Sequence, residues 1–219
     1  MIRPRSVEEP RLNRLFKIAF YYSLQLVCRL ACVSLFHLRC LGREHTRVAG
    51  PALILSTHQS HLDPILVGVA FNERVNSVAR QSLFPIPVLG TVIRWLDAIA
   101  LDRTRGGLGG LKETMRRLRA GRKVLLFPEG TRTPTGRMLP LKPGFLVLAR
   151  KCSVPLIPMA IVGAYDALPR GTWVLRPVPI RVVIGPAIEP DELKGLDDAA
   201  ALELVTNRLA ACRQRGQRR

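Results

Sequence analysis

The sequence predicts an α/β fold: a single domain with a mostly parallel central sheet flanked by helices, plus an N-terminal amphipathic helical segment. Three observations predict it. Short apolar runs of strand length alternate with longer stretches in which apolar residues recur every three or four positions, the pattern of strand–helix crossovers. Runs such as Ala52-Leu53-Ile54-Leu55 are apolar throughout, as in strands covered on both faces. No internal repeat divides the 219 residues, a length that suits one sizeable domain with a terminal appendage.

The chain begins with Arg3, Arg5, Arg11, Arg14 and Lys17 ahead of a mostly apolar stretch, residues 18–38, whose one charge is Arg29. A bilayer span needs about 20 apolar residues, and an arginine at its centre costs roughly 2.5–3.5 kcal/mol on insertion scales. Leu12, Leu15, Phe16, Ala19 and Phe20 recur at helical spacing between the cations. That pattern predicts an amphipathic helix lying in a membrane interface, its cations toward lipid head groups. Packing on the protein's own core and a true span are the alternatives. No small-residue cleavage site follows a clean apolar core, so the stretch does not read as a cleaved secretory signal. Residues 1–45 form this segment, 46–212 the domain, and 213–219 a frayed basic tail.

Gly50-Pro51 opens the domain, and Ala52–Ser56 is its first strand. Asp63-Pro64 predicts a helix start, with Asp63 as N-cap and Pro64 at the first helical position; the helix runs over 65–71. A strand follows at 75–79. Pro85, Pro87 and Gly90 break the chain before a short helix near 88–95, and a strand at 98–101 ends at Asp102-Arg103. The glycines of 106–110 make a turn, not a nucleotide cradle, since no G-x-G-x-x-G or Walker A spacing is present. Leu108, Leu111, Met115 and Leu118 mark the apolar face of the next helix, which Gly121 closes. A strand at 124–127 leads into Pro128-Glu129-Gly130-Thr131-Arg132, a polar turn occupies 133–137, and Lys142-Pro143-Gly144 introduces a helix at 145–151. Two more strands are Leu156–Val162 and 180–184. Pro155, Pro158, Pro177 and Pro179 point to short strands or sheet edges there. A helix at 199–212 ends the domain.

The formal charge of +18 and the pI near 11.2 call for an anionic partner: nucleic acid, an anionic membrane surface, or an acidic carrier or substrate. Aromatics are only 5% and do not interleave with the basic residues, which argues against nucleic acid. The five cysteines are odd in number and contain no C-x-x-C. They read as reduced structural thiols, and no metal site is expected.

The chemistry-bearing stretch is Thr57-His58-Gln59-Ser60-His61-Leu62-Asp63-Pro64. On one continuous helix, residues five apart would not share a face. If His58 lies in the loop before the helix and Asp63 in its first turn, the carboxylate takes one imidazole N–H and leaves the other nitrogen as an acceptor, which a general base requires. The spacing alone equally allows Asp63 to be only a cap and His58 only a loop residue. His61 has no carboxylate five residues on and reads as local structure or pocket lining. Arg103 and the Phe127–Arg132 block follow strand ends, where parallel sheets bind ligands. There Arg132 would grip a phosphate, Thr131 and the Gly130 amide would donate to it, Glu129 would accept from a hydroxyl, and Lys142 adds a cation.

With these blocks in view, the chain resembles the lysophosphatidic-acid acyltransferase family, glycerolipid acyltransferases that use acyl-CoA or acyl-carrier protein. The resemblance rests on H-x-x-x-x-D at His58 to Asp63, on Ile99-Ala100-Leu101-Asp102-Arg103, on F-P-E-G-T-R at Phe127 to Arg132, and on Val154-Pro155-Leu156-Ile157-Pro158. Four blocks in the family's order span about residues 50–162. Thr57 stands where that family commonly has asparagine, which leaves the base in place and leaves open what braces its loop. The resemblance implies acyl transfer to the free hydroxyl of a lysophospholipid, above all 1-acyl-glycerol-3-phosphate, in phospholipid biosynthesis. It implies a His58–Asp63 dyad and an acceptor site of Arg103, Glu129, Gly130, Thr131, Arg132 and Lys142. No cofactor is implied beyond the acyl-CoA or acidic acyl-carrier protein co-substrate, and the location implied is the cytoplasmic face of the cell membrane. Two rival readings are acylation of another hydroxylated lipid, such as a lyso-ornithine lipid, and a non-enzymatic basic membrane-binding module. A hydrolase is disfavoured, since no G-x-S-x-G elbow occurs.

Overall fold

The computed structural model describes residues 11–87, 89–101, 108–172 and 174–218. In chain order its elements are α1 (Arg11–Phe36), β1 (Arg39–Leu41), β2 (Ala52–Ser56), α2 (Asp63–Ala70), β3 (Val75–Arg80), α3 (Leu89–Trp95), β4 (Ile99–Leu101), α4 (Leu108–Arg119), β5 (Lys123–Leu126), α5 (Gly144–Cys152), β6 (Leu156–Val162), α6 (Ala164–Ala167), β7 (Arg181–Ile184) and α7 (Asp198–Gln217). The strands form one sheet in the order β1-β7-β6-β2-β5-β3-β4. Every neighbouring pair is parallel except β6 with β7. The α/β sheet expected from the alternating pattern is therefore present.

Burial on both faces explains the unbroken apolar runs. Strand side chains alternate between faces, so Leu53 and Leu55 enter a layer with Leu118, Phe145 and Leu209. Ala52 and Ile54 enter the opposite layer with Leu66, Phe71 and Phe36. The first layer is closed by α4, α5 and α7, the second by α1, α2 and α6.

Several expectations are corrected. The short strand β1 had no sequence signal, yet Arg39 pairs with Arg181 at the sheet's edge; the sheet thus begins inside the stretch assigned to the N-terminal segment. The expected basic tail is helical through Gln217, and Gly216 is buried where a Cβ would strike Val162 and Val183. Pro158 lies within β6, between two neighbouring strands. Between the Leu156–Ile188 bridge and the Met159–Ile184 pair, the β7 side carries one residue more than β6. The missing proline N–H falls at that irregularity. Gly109 and Gly110 belong to the first turn of α4 rather than to a linker, and Leu108 is exposed instead of packed.

The helix α1 is turned the opposite way from a soluble amphipathic helix. Tyr21, Gln25 and Arg29 face the protein. Gln25 Nε2 donates to the Gly68 and Phe71 carbonyls at 2.6 and 2.7 Å, and Arg29 donates to the Val69 carbonyl at 2.8 Å. These carbonyls end α2, where the last turn has no partners of its own and a cation is favoured. Tyr21 Oη accepts the Val75 N–H. Leu15, Phe16, Leu26, Val27 and Leu30 are exposed on the other side. Residues Ile18–Phe36 are long and apolar enough to cross a membrane, and only 11% of that stretch is buried. The side chains of Arg11, Arg14 and Lys17, expected toward lipid, lie outside the described ones, as do residues 1–10.

One glycine is required by space and backbone together. Gly163 turns the chain from β6 into α6 at φ +92, and a Cβ there would sit 2.3 Å from the Pro179 carbonyl oxygen. Gly163→Ala is expected to remove about 1–3 kcal/mol of stability, lowering the melting temperature by about 2–4 °C per kcal/mol in a thermal scan.

Candidate active site

The carboxyl ends of β2, β3 and β5 lie side by side in the sheet, and the sequence-selected residues collect there. Past β2 the chain leaves the sheet through a tightly held loop. Thr57 N–H donates to the Met159 carbonyl, and Thr57 Oγ1 accepts the Ile161 N–H at 3.0 Å. The threonine hydroxyl therefore braces the loop against β6. Ser60 Oγ donates to the Leu168 carbonyl at 2.9 Å, and Gln59 Nε2 donates to the Gly136 carbonyl at 3.1 Å.

The pair meets. His58 Nδ1 lies 2.8 Å from Asp63 Oδ2, with the carboxylate fully buried and the imidazole 19% exposed. The expected geometry needs one correction: Asp63 is the first residue of α2, not its cap. Leu62 holds the cap position without a side-chain bond. The carboxylate turns back over the loop, and its Oδ2 accepts the Gln59 and Ser60 peptide N–H groups at 2.6 and 2.7 Å. With two peptide donors already converging there, Oδ2 is an acceptor and Nδ1 carries the proton. In the neutral ring that tautomer leaves the lone pair on Nε2. The ring stacks on Phe127, centroids 4.0 Å apart and planes 16° from parallel. The phenylalanine of the Phe127–Arg132 block thus fixes the plane of the imidazole.

Glu129 is buried beneath the histidine. Its Oε1 accepts the His58 peptide N–H at 2.8 Å, and its Oε2 accepts the Leu139 N–H at 2.9 Å. Burial raises its pKa to about 7, outweighing the two peptide donors that lower it. The sequence suggests a hydroxyl for Glu129 to accept from; in the structure each of its oxygens is directed at a peptide group. Likewise, the Gly130 N–H donates to the Phe127 carbonyl and not outward. Gly130 has φ +72, and the Lys142 side chain packs where its Cβ would be, which brings that exposed lysine alongside the block. Thr131 is half-buried. Arg103 lies outside the described residues.

Arg132 stands in a cationic cluster. Partial burial and then the guanidinium groups of Arg170 and Arg80 push its pKa down. Arg170 Nη1 reaches the Arg132 carbonyl at 3.4 Å. His61 faces the same group: partial burial, then Arg132, lowers its pKa. Arg80 and Arg170 were missed from sequence. Arg80 ends β3, so the strand-end rule applied to Arg103 would have found it had the strand been taken one residue further. Arg170 follows a four-residue helix that left no periodic signal. Guanidinium groups gathered in this way suit a phosphate.

The family model described as Acyltransferase matches residues 37–162. Over 154 residues the chain is 34% identical to a 1-acyl-sn-glycerol-3-phosphate acyltransferase of Limnanthes alba, covering 69% of this chain and 54% of that protein. Over 145 residues it is 36% identical to a protein of the same name from Pseudomonas aeruginosa, covering 64% and 55%. The chain spans about half the length of the curated relatives it matches. The crystal structure of the 1-acyl-sn-glycerophosphate (LPA) acyltransferase PlsC from Thermotoga maritima superposes with a TM-score of 0.80 at 24% identity, covering 95% of this chain and 83% of that one. That likeness is one of fold.

Proposed function

The chain belongs to the Acyltransferase family, and from that premise we propose that it moves a fatty acyl group from a thioester to the free hydroxyl of a lysophospholipid. The acceptor is 1-acyl-glycerol-3-phosphate and the product phosphatidic acid. The observation that carries this reading is the His58–Asp63 contact at 2.8 Å beside the Arg80, Arg132 and Arg170 cluster. A base with one committed nitrogen needs a hydroxyl to deprotonate, and the cluster needs an anion.

In this reading the acceptor's phosphate sits on Arg132 and its neighbours, with Lys142 and Thr131 at the rim, and Arg103, outside the described residues, is assigned to the same phosphate. The acceptor hydroxyl points at His58 Nε2. As its oxygen attacks the thioester carbonyl, Nε2 takes the proton, and Asp63 stabilises the imidazolium. The tetrahedral centre then collapses, the C–S bond breaks, and the thiolate leaves with the proton from His58. Transfer is direct, from acyl-CoA or acyl-carrier protein, with no acyl-enzyme.

The exposed apolar face of α1 supports attachment to a membrane whose lipid is also the substrate pool. Because Gln25 and Arg29 are committed to the domain, we favour a helix lying along the membrane surface over one that crosses it. We place the protein on the cytoplasmic face, where thioester donors are made and its cysteines stay reduced.

The test is release of free thiol from acyl-CoA and acyl-carrier protein, with and without lyso-lipid. Release that depends on 1-acyl-glycerol-3-phosphate and yields phosphatidic acid is expected. Release without acceptor would mean a thioesterase. Dependence on lyso-ornithine lipid alone would redirect the acceptor, and no release with any acceptor would leave a binding module. Within this assay Arg132→Ala is expected to raise the acceptor KM by roughly ten-fold or more, as the loss of a charge-assisted phosphate contact of about 1.5–3 kcal/mol implies, with a smaller change in kcat. An unchanged acceptor KM would remove Arg132 from the site.

A further inference from the structure

We propose that Glu129 is a positioning residue, whose carboxylate holds the peptide of the base in place and makes no contact with the acceptor. The inference rests on the acyl-transfer reading for its kinetic arm only. Its first support is that both carboxylate oxygens are already aimed at peptide groups: Oε1 at the His58 N–H (2.8 Å) and Oε2 at the Leu139 N–H (2.9 Å). The second is that the other side of the same residue is held too, since the His58 carbonyl accepts the Thr133 N–H at 2.9 Å. His58 is thus gripped through its main chain by the segment that follows β5, while its ring is set by Asp63 and Phe127. The third is burial: Glu129 is 3% exposed, beneath the histidine and not at the mouth with Arg132.

The chemistry explains why the residue is glutamate. Each of the two peptide N–H groups is met by its own carboxylate oxygen. Glutamine offers one oxygen and one NH2, so one peptide N–H would face another donor. The longer side chain also reaches from the β5 end to two separate loops, at residues 58 and 139. A protonated carboxyl has the same defect as the amide, because its O–H displaces one of the two peptide donors. With burial holding the pKa near 7, the strap is complete above neutrality and half released below it.

The experiment has two arms. In the kinetic arm, Glu129→Gln is expected to lower kcat by about 10²-fold, the scale of an ångström-sized misplacement of a catalytic group, while acceptor KM stays within about two-fold. A raised acceptor KM with kcat preserved would overturn the proposal, since it would place the carboxylate on the acceptor. The second arm needs no turnover and so stands if the acyl-transfer reading fails. In His58→Ala the imidazole is absent, but the residue-58 peptide N–H still donates to Glu129. Its amide resonance and that of Leu139 are expected to titrate together, with the single midpoint of the Glu129 carboxyl. Adding Glu129→Gln should abolish both movements. Amides that do not titrate in His58→Ala would overturn the strap, whether or not the double variant folds.

Discussion

Replacing His58 with alanine is expected to lower kcat by about 10²–10⁴-fold, the contribution of a positioned general base, while acceptor KM and melting temperature stay close to wild type. The structure separates the two effects. The main chain of His58 is held by Glu129 and Thr133, and neither bond involves the imidazole. Truncation removes one stacked ring from Phe127 and one partner from Asp63, whose Oδ2 keeps the Gln59 and Ser60 N–H groups. Initial-rate kinetics with saturating donor, run beside a thermal scan, measure both. A variant that turns over like wild type would end the base assignment.

Asp63→Asn is the companion change, and here activity and stability should fall together. The amide is nearly the shape of the carboxylate but carries donors on one side. If its oxygen faces the peptide N–H groups, its NH2 has no acceptor in a site with no solvent exposure. If it rotates, NH2 meets N–H. Either way a buried polar group goes unpaired, at about 1–3 kcal/mol. The imidazole also loses the partner that fixes its tautomer, so kcat should drop by roughly 10²–10⁴-fold. Residues acting as one unit are not additive. Asp63→Asn placed in the His58→Ala background should therefore cost little further activity while still lowering the melting temperature. Losses that multiply in the double variant would mean that Asp63 is only a structural residue of the helix start.

Local rules made much of this legible. The run at 52–55, the helix start near Asp63-Pro64 and the turn that follows β5 each follow from residues within a few positions, and each is present, the helix starting at Asp63 itself. What escaped depends on partners far along the chain. Periodicity says that residues 11–36 have two faces. It does not say which one meets the protein, because that is decided by carbonyls about 40 residues away at the end of α2. Arg29 read as a penalty for membrane insertion, and it is a helix-end donor instead. Glu129 read as a substrate ligand because it neighbours Arg132. Its direction was set by the His58 N–H, 71 residues earlier. The edge strand β1 is too short to show an apolar pattern and exists because β7 is there to pair with it. Arg170 becomes part of the site only through the fold.

The inward polar face of α1 also bears on how such a protein can be rebuilt. A membrane anchor joined by a flexible linker is a replaceable module, and another anchor of similar greasiness would serve. Here α1 commits Tyr21, Gln25 and Arg29 to main-chain groups of the domain, so in the proposed membrane-bound state it would be at once tether and brick. Deleting it to make a soluble enzyme would strip donors from the end of α2, whose other end carries Asp63. A graft would succeed only if it reproduced those three side chains in register, which makes this helix among the least interchangeable parts of the chain.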